Sequence, residues 1–312
     1  MAPTSSVSFP VTSSDTTEGT VSTSTLSFST DNWSTAQTVT VYGVDDTLSD
    51  DNQAFSVTLG SVTSSDANYA GKNPDDVSVT NVDNETASIT VSALSGNTTE
   101  MGGTATFTVV LDSQPTSDVS IAVSSSDTSE ATISPSSLTF GSSNYSTLQT
   151  VTVTGVDDFY DDDNVSYTIT VDPSSSIASY NTMTSSTVTG SNIDNDTAAI
   201  TVGAKSGNTS EFGTTATINV TLATIPTANV SIVVTDNDST EVSITPTTLT
   251  ITPSTWNTTN QVTLTGQDDS DNDGNITFRI SFDNATSTDS KYNGMAPSPA
   301  YVDVINVDDY AD

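Results

Sequence analysis

The residues able to do chemistry in this 312-residue chain are its carboxylates, 33 aspartates and six glutamates, set against only four basic residues. In GVDDFYDDDNVSY (155–167), five aspartates occupy the seven positions 157–163, between two segments that alternate like β-strands. Two carboxylates about 4 Å apart repel by roughly 4 kcal/mol at an effective dielectric of about 20. Five together call either for a turn splayed into water or for a cation. Calcium takes about six to eight oxygen ligands from closely spaced carboxylates on turns and from backbone carbonyls, so that pattern suits it.

Composition narrows the alternatives. With no histidine and no cysteine, imidazole and thiol catalysis, the usual zinc sites, disulfides and haem ligation are all closed. A formal charge of −35 makes nucleic acid and anionic membrane surfaces poor partners. No stretch approaches the roughly 20 apolar residues of a membrane span, so no membrane insertion is expected within this segment. No carboxylate pair stands out as a glycosidase would need, and a non-enzyme is expected. A cysteine-free chain rich in Ser, Thr and Asp suggests an exported, extracellular surface protein.

The elements that must position the acids emerge on self-comparison. The segment EGTVSTSTLSFSTDNWSTAQTVTVYGVDD (18–46) recurs at 130–158 and at 241–269. Glu18, Glu130 and Glu241 are spaced by 112 and 111 residues, as are Gly43, Gly155 and Gly266. NVDNETASITVSALSGNTTEMGGTATFTVVL (81–111) likewise matches 192–222, and INVDDYAD (305–312) starts a further copy. Within a period, apolar residues alternate with Ser and Thr, as at Ala105, Phe107, Val109 and Leu111. Such segments fall near 87–93, 104–111, 118–124, 131–140, 149–156, 165–172 and 185–193. Seven strands in about 111 residues predict an all-β fold of tandem immunoglobulin-like β-sandwich domains.

The expected divisions are 1–83, 84–194 and 195–312. The first period lacks what corresponds to 84–116, about two strands. Either the chain is cut from a longer array, or another segment or chain supplies those strands by β-augmentation.

Each period gathers acids after GxDD and in the linker to the next. The second has Glu100, Asp157, Asp158, Asp161, Asp162, Asp163, Asp194 and Asp196. The third has Glu211, Asp268, Asp269, Asp271, Asp273, Asp308 and Asp309, and the first Asp45, Asp46, Asp50, Asp51, Asp83 and Glu85. All are candidate calcium ligands. In DDSDNDG (268–274) the spacing mimics an EF-hand, but its twelfth position is Ile280 and the other periods lack it, so it is the same turn varied.

TEMGGTATFTVVL, VTVTGVDDFYDDDN and TGSNIDND together resemble the Calx-β domain family and its bacterial surface-repeat relatives. The resemblance implies Calx-β-like sandwiches arranged as a rod, with Glu100, Asp157, Asp158, Asp194 and Asp196 as calcium ligands near a junction. Strands of about nine residues at 3.3 Å give three domains a length on the order of 100 Å.

The expected function is a calcium-stabilised stalk or adhesin-type module of a long cell-surface protein, its partners being calcium and further copies of the repeat. One alternative is a protomer of an extracellular filament or surface layer built by strand complementation at the first repeat. Another is a glycan-binding module using Trp33, Tyr145 or Trp256, although one aromatic per repeat more often plugs a core or covers an edge. Thirteen N-x-S/T sequons permit attached glycans.

Overall fold

A computed structural model describes residues 1–269 and 273–308. Asp271 and Asp309, two of the candidate ligands, lie outside the described residues.

Alternation becomes burial along each strand. In Thr104–Leu111, the side chains of Ala105, Phe107, Val109 and Leu111 are buried and the intervening ones are not. This strand pairs antiparallel with Gln149–Gly155, setting Ala105 opposite Val153 and Phe107 opposite Val151. Ala131–Ser134 and Ile89–Val91 complete that sheet. The facing sheet runs in the order Ser137–Phe140, Val119–Ser125, Val165–Ser175, Ser186–Ile193 and Thr98–Thr99. Between the two sheets lie sixteen buried apolar residues, among them Phe107, Ile121, Phe140, Val153, Tyr167 and Tyr180. Each large side chain so enclosed stabilises the sandwich by about 1.5–3 kcal/mol. Residues 200–307 repeat this architecture strand for strand around twenty-one buried apolar residues. The fold is all-β, in sandwiches of immunoglobulin-like type.

Two details differ from the expected strands. The single strand expected over 131–140 is two, and they belong to opposite sheets: Ala131–Ser134 pairs with Gln149–Gly155, whereas Ser137–Phe140 pairs with Val119–Ser125. Pro135 stands between them, with no N–H to continue a ladder. Pro246 does the same between Val242–Thr245 and Thr248–Ile251. The second difference is an additional strand, Thr98–Thr99, which pairs parallel with Asn192 and Ile193. At two residues it is too short to leave a periodic signal.

The first repeat has one sheet in the order Thr25–Phe28, Val7–Ser13, Gln53–Leu59, Val77–Asn81, and a separate ribbon of Gly19–Val21 with Val41–Gly43. That ribbon corresponds to Ala131–Ser134 with Gln149–Gly155. Among the described residues nothing in the first repeat plays the part of Thr104–Leu111, and only Val11, Phe55 and Val57 form its buried cluster.

Candidate metal centre

The acidic turn of the second repeat leaves the strand Gln149–Gly155 at a residue that must be glycine. A Cβ on Gly155 would lie 2.2 Å from the Thr99 carbonyl oxygen and 2.4 Å from Asn192 Oδ1. Gly266 faces the same constraint from Ser210 and Asn306, and Gly43 from Asn81. The close crossing carries Glu100, the residue after the short strand, to the start of the acidic turn. Glu100 N–H is held by the Ile193 carbonyl, and its Oε2 accepts from Asn195 N–H at 3.0 Å.

Asn192 fixes a second glutamate from beneath. Its Nδ2 donates to the Val156 carbonyl at 2.9 Å and to Glu130 Oε2 at 3.3 Å, and its Oδ1 accepts from Thr98 Oγ1. Both Asn192 and Glu130 are buried. The arrangement recurs as Asn306 with Glu241 (3.1 Å) and as Asn81 with Glu18 (3.2 Å). Glu18, Glu130 and Glu241 were absent from the ligand sets drawn from the turns. Their register was visible in the repeat, and so was the scarcity of glutamate. What sequence could not reveal is that the edge strand beginning at residue 131 delivers Glu130 beneath a turn some thirty residues later.

Two carboxylate groups result. Oxygens of Glu100, Asp157 and Asp196 lie within 4.8 Å of one another, and so do oxygens of Glu130, Asp158 and Asp162. Adjacent Asp157 and Asp158 thus divide between the two. Among the described residues no lysine or arginine forms an ion pair with any of the six. Burial, followed by the charges of Asp194 and Asp158, pushes the Glu100 carboxyl up to about 7, although the Asn195 N–H works against this. Much of Asp162 faces solvent, but its carboxyl lies against Glu130 and Asp158. Desolvation there and those two charges push it up to about 6. Burial also raises Glu130 and Asp196, with neighbouring aspartates adding to it.

The donor set fits a hard divalent cation. All donors are oxygens, and among the described residues none of the six is in an ion pair with a cationic side chain. Oxygens on opposite sides of a calcium ion bound at about 2.3–2.6 Å stand roughly 5 Å apart, which the observed spread accommodates.

The remaining candidates do other things. Asp194 Oδ2 accepts from Asp163 N–H and its Oδ1 from Asp196 N–H, so it ties the turn to the linker. Asp83 receives the N–H groups of Asp50, Asp51 and Glu85, and the bond from Glu85 leads the effects that lower its carboxyl. Asp308 accepts from Gly274 N–H. Asp51, Asp163 and Gly274 hold one turn position, with φ of 64°, 65° and 77°. This left-handed position favours Gly, Asn or Asp, and it explains why NDGN (272–275) in the third repeat can stand where the second has DDDN (161–164).

In the first repeat Asp46, Asp50, Asp51, Asp83 and Glu85 line one pocket with Glu18. Asp45 adds to the charge that, after burial, raises Glu85. In the third repeat Glu211 is buried and bonded through its N–H to Val307. Asp269 and Asp273 contribute to raising Glu241, behind burial, and Asp268 is exposed.

Asp161 and Asp163 turn toward the following repeat instead. Lys291 Nζ lies 2.6 Å from Asp161 and 2.8 Å from Asp163, and Ala198 N–H donates to Asp161 Oδ2. The Phe159 carbonyl accepts from Ile225 N–H at 2.7 Å, and its ring meets Trp256 at 5.8 Å. One junction earlier the equivalent residue Thr47 accepts from Gln114 N–H at 2.8 Å.

No protein-family model matches the chain, and no curated protein does. Among solved structures it is similar to CBD12 from CALX1.2, at 13% identity and a TM-score of 0.28, over 64% of this chain and 82% of that one. It is also similar to the calcium binding domain CBD12 of CALX1.1, at 14% identity and 0.27, over 61% of this chain and 77% of that one. Domains 4–9 of the surface layer protein SbsC match over 99% of this chain and 40% of that one, at 18% identity and 0.28. Likenesses this distant assign neither ligand nor partner to the chain.

Proposed function

We propose that this chain is a tandem array of three β-sandwich units, divided near residues 83 and 194, whose junctions bind calcium. In this reading it serves as a stalk or spacer region of an extracellular surface protein. The observation that carries it is the pair of carboxylate groups at the base of one acidic turn, Glu100–Asp157–Asp196 and Glu130–Asp158–Asp162, with no cationic side chain among the described residues paired to either. Maintaining such repulsion against the two buried glutamates is destabilising unless an ion is part of the folded state.

The residues of the chain have distinct tasks. Glu100 and Glu130 are held by Asn195 and Asn192 before any ion arrives, so little ordering is left to binding. Asp194 keeps the turn and the linker at a set separation. A bound divalent cation would supply the positive charge that lets all six carboxylates ionise together. Asp161 and Phe159 couple the turn to the next repeat, so order in the turn becomes order in the joint. Stacked repeats that contact only their neighbours give reach and stiffness.

The test is calorimetric titration of the chelated chain with calcium, alongside small-angle scattering and thermal melting. Saturable binding with a raised melting temperature and a longer or better-defined maximum dimension is expected. Unchanged melting and unchanged dimension after chelation would remove the calcium-locked array.

A further inference from the structure

The outward face of one sheet sets the third repeat apart from the other two. At matching positions of two paired strands, the first repeat has Ser56 opposite Ser78, the second Thr168 opposite Thr189, and the third Arg279 opposite Asp303. Beside them the second repeat pairs Thr170 with Thr187, where the third pairs Ser281 with Tyr301. Arg279 Nε donates to Asp303 Oδ1 at 2.8 Å and Nη2 to Oδ2 at 3.3 Å, while the guanidinium lies 3.7 Å over the Tyr301 ring. Tyr301 is 47% exposed. The Arg279 bond holds Asp303 below the ordinary carboxylate range against desolvation, and the charge of Lys205, which stands where the second repeat has Leu94, adds to it. An exposed ion pair of this kind adds little stability, and two repeats fold with hydroxyl side chains in its place.

We propose that this face binds a uronate-bearing oligosaccharide, whose carboxylate takes the free Nη1–Nη2 fork of Arg279 and whose ring lies along Tyr301. A guanidinium carries five N–H donors, and Asp303 takes two of Arg279's, so the outer fork is left for an acceptor. Stacked on Tyr301 and tied to Asp303, that fork is oriented before a ligand arrives. Two parallel bonds from such a fork match a planar carboxylate. Charge points the same way: two of the chain's four basic residues meet here around a single aspartate, in a molecule of formal charge −35. The surroundings select the body that carries the carboxylate. Tyr301 offers an aromatic surface with a polar tip, and Ser281 and Thr235 continue its row with hydroxyls that both donate and accept. A pyranose, with an apolar C–H face and a hydroxyl rim, meets both. A dense polyanion is repelled by the rest of the chain, whereas carboxylates spaced one to a sugar ring engage the patch once salt screens the more distant acids beyond about 8 Å. This site goes beyond the reading of the chain as a calcium-bound array and is independent of any ion.

The experiment titrates tetragalacturonate into the full chain in excess chelator at about 0.15 M salt, where screening is short, and follows backbone amide shifts. The fully methyl-esterified tetrasaccharide and a tetraglutamate peptide are the controls. Expected are saturable shifts confined to residues 277–281, 301–305 and their immediate neighbours, with both controls at least tenfold weaker. Arg279→Thr and Tyr301→Thr install the residues with which the second repeat already folds at these positions, Thr168 and Thr187. Each should therefore weaken binding at least tenfold while the melting temperature changes little. Arg279→Lys keeps the charge without the fork and should bind nearly as weakly as Arg279→Thr. Absence of saturable shifts in the unaltered chain, equal binding of the neutral ester, equal binding of the acidic peptide, or full affinity in Arg279→Thr would each overturn the proposal. Because chelator is present throughout, failure here leaves the calcium reading to its own test.

Discussion

Asp157 and Asp158 are neighbours in sequence, yet they serve two different carboxylate groups, one closed by Glu100 and Asp196 and the other by Glu130 and Asp162. Extended backbone sends successive side chains to opposite sides, so one dipeptide can bridge two sites. Asp157→Asn and Asp158→Asn should therefore each weaken one class of calcium site by about tenfold or more while sparing the other, since each removes one charged ligand of a small set. Isothermal titration of the two variants checks this. Loss of both classes from a single substitution would mean that the two groups act as one site.

Asn192 is the buried amide that joins Glu130 to the Val156 carbonyl. Replacing it by Leu leaves both acceptors without that donor, and a buried unsatisfied group costs about 1–3 kcal/mol. Asn192→Leu should lower the melting temperature of the second repeat in chelator as well as in calcium, because the cost falls on the scaffold. Differential scanning calorimetry of the two states decides it.

Gly155→Ala places a methyl group 2.2 Å from the Thr99 carbonyl, and backbone has no rotamer to escape with. Overpacking of this kind costs typically about 1–3 kcal/mol. The expected signature is loss of amide protection at Thr98, Thr99 and Glu100. By contrast Gly274→Asp should cost less, since Asp51 and Asp163 already adopt that left-handed turn position.

Lys291→Met removes the ammonium from between Asp161 and Asp163. Burial works to raise Asp161, but the bond from Lys291 and the Ala198 N–H outweigh it and hold the carboxyl below its ordinary range. Lys291 is raised by the same two aspartates, so its contribution is present below the ordinary lysine range and fades only as the solution becomes strongly alkaline. The pair is partly exposed, so only a small loss of stability is expected. Segmental motion between the second and third repeats should increase, as measured by relaxation or by scattering, and the difference from the unaltered chain should shrink in high salt.

Asp66 carries an acid-side prediction for the first repeat. The N–H groups of Thr4 and Asn68 lower its carboxyl to about 2. A depressed carboxylate stabilises the folded state above its unfolded value near 4, and that stabilisation is lost as pH falls toward 2. Asp66→Asn should flatten the acid limb of the first repeat's melting profile between those values. An unaltered limb would place the acid sensitivity elsewhere.

Much of the fold was legible because burial follows alternation. TATFTVVL declared its inward face residue by residue, and the spacing of Glu18, Glu130 and Glu241 declared the repeat. Sheet membership was not legible, since a period of two marks a strand without saying which partner it takes. Hence 131–140 read as one strand, although its halves pair in different sheets around Pro135. The site was half legible. Clustered aspartates advertise themselves, but Asn192 looks like an ordinary linker residue until its burial is known. Asp161 could not be distinguished from Asp162 in sequence. Which of them turns toward the next repeat depends on Lys291, 130 positions later.

The two junctions are built on the same pair of chain positions but from different materials. At the first, Thr47 and Gln114 meet through neutral polar bonds; at the second, Phe159 stacks near Trp256 while Lys291 bridges two aspartates. A chain pulled from its ends would therefore have a programmed order of yielding, with the first joint extending at lower force than the second. Such a series absorbs a tug in steps, and single-molecule extension would register it as two separate events in place of one.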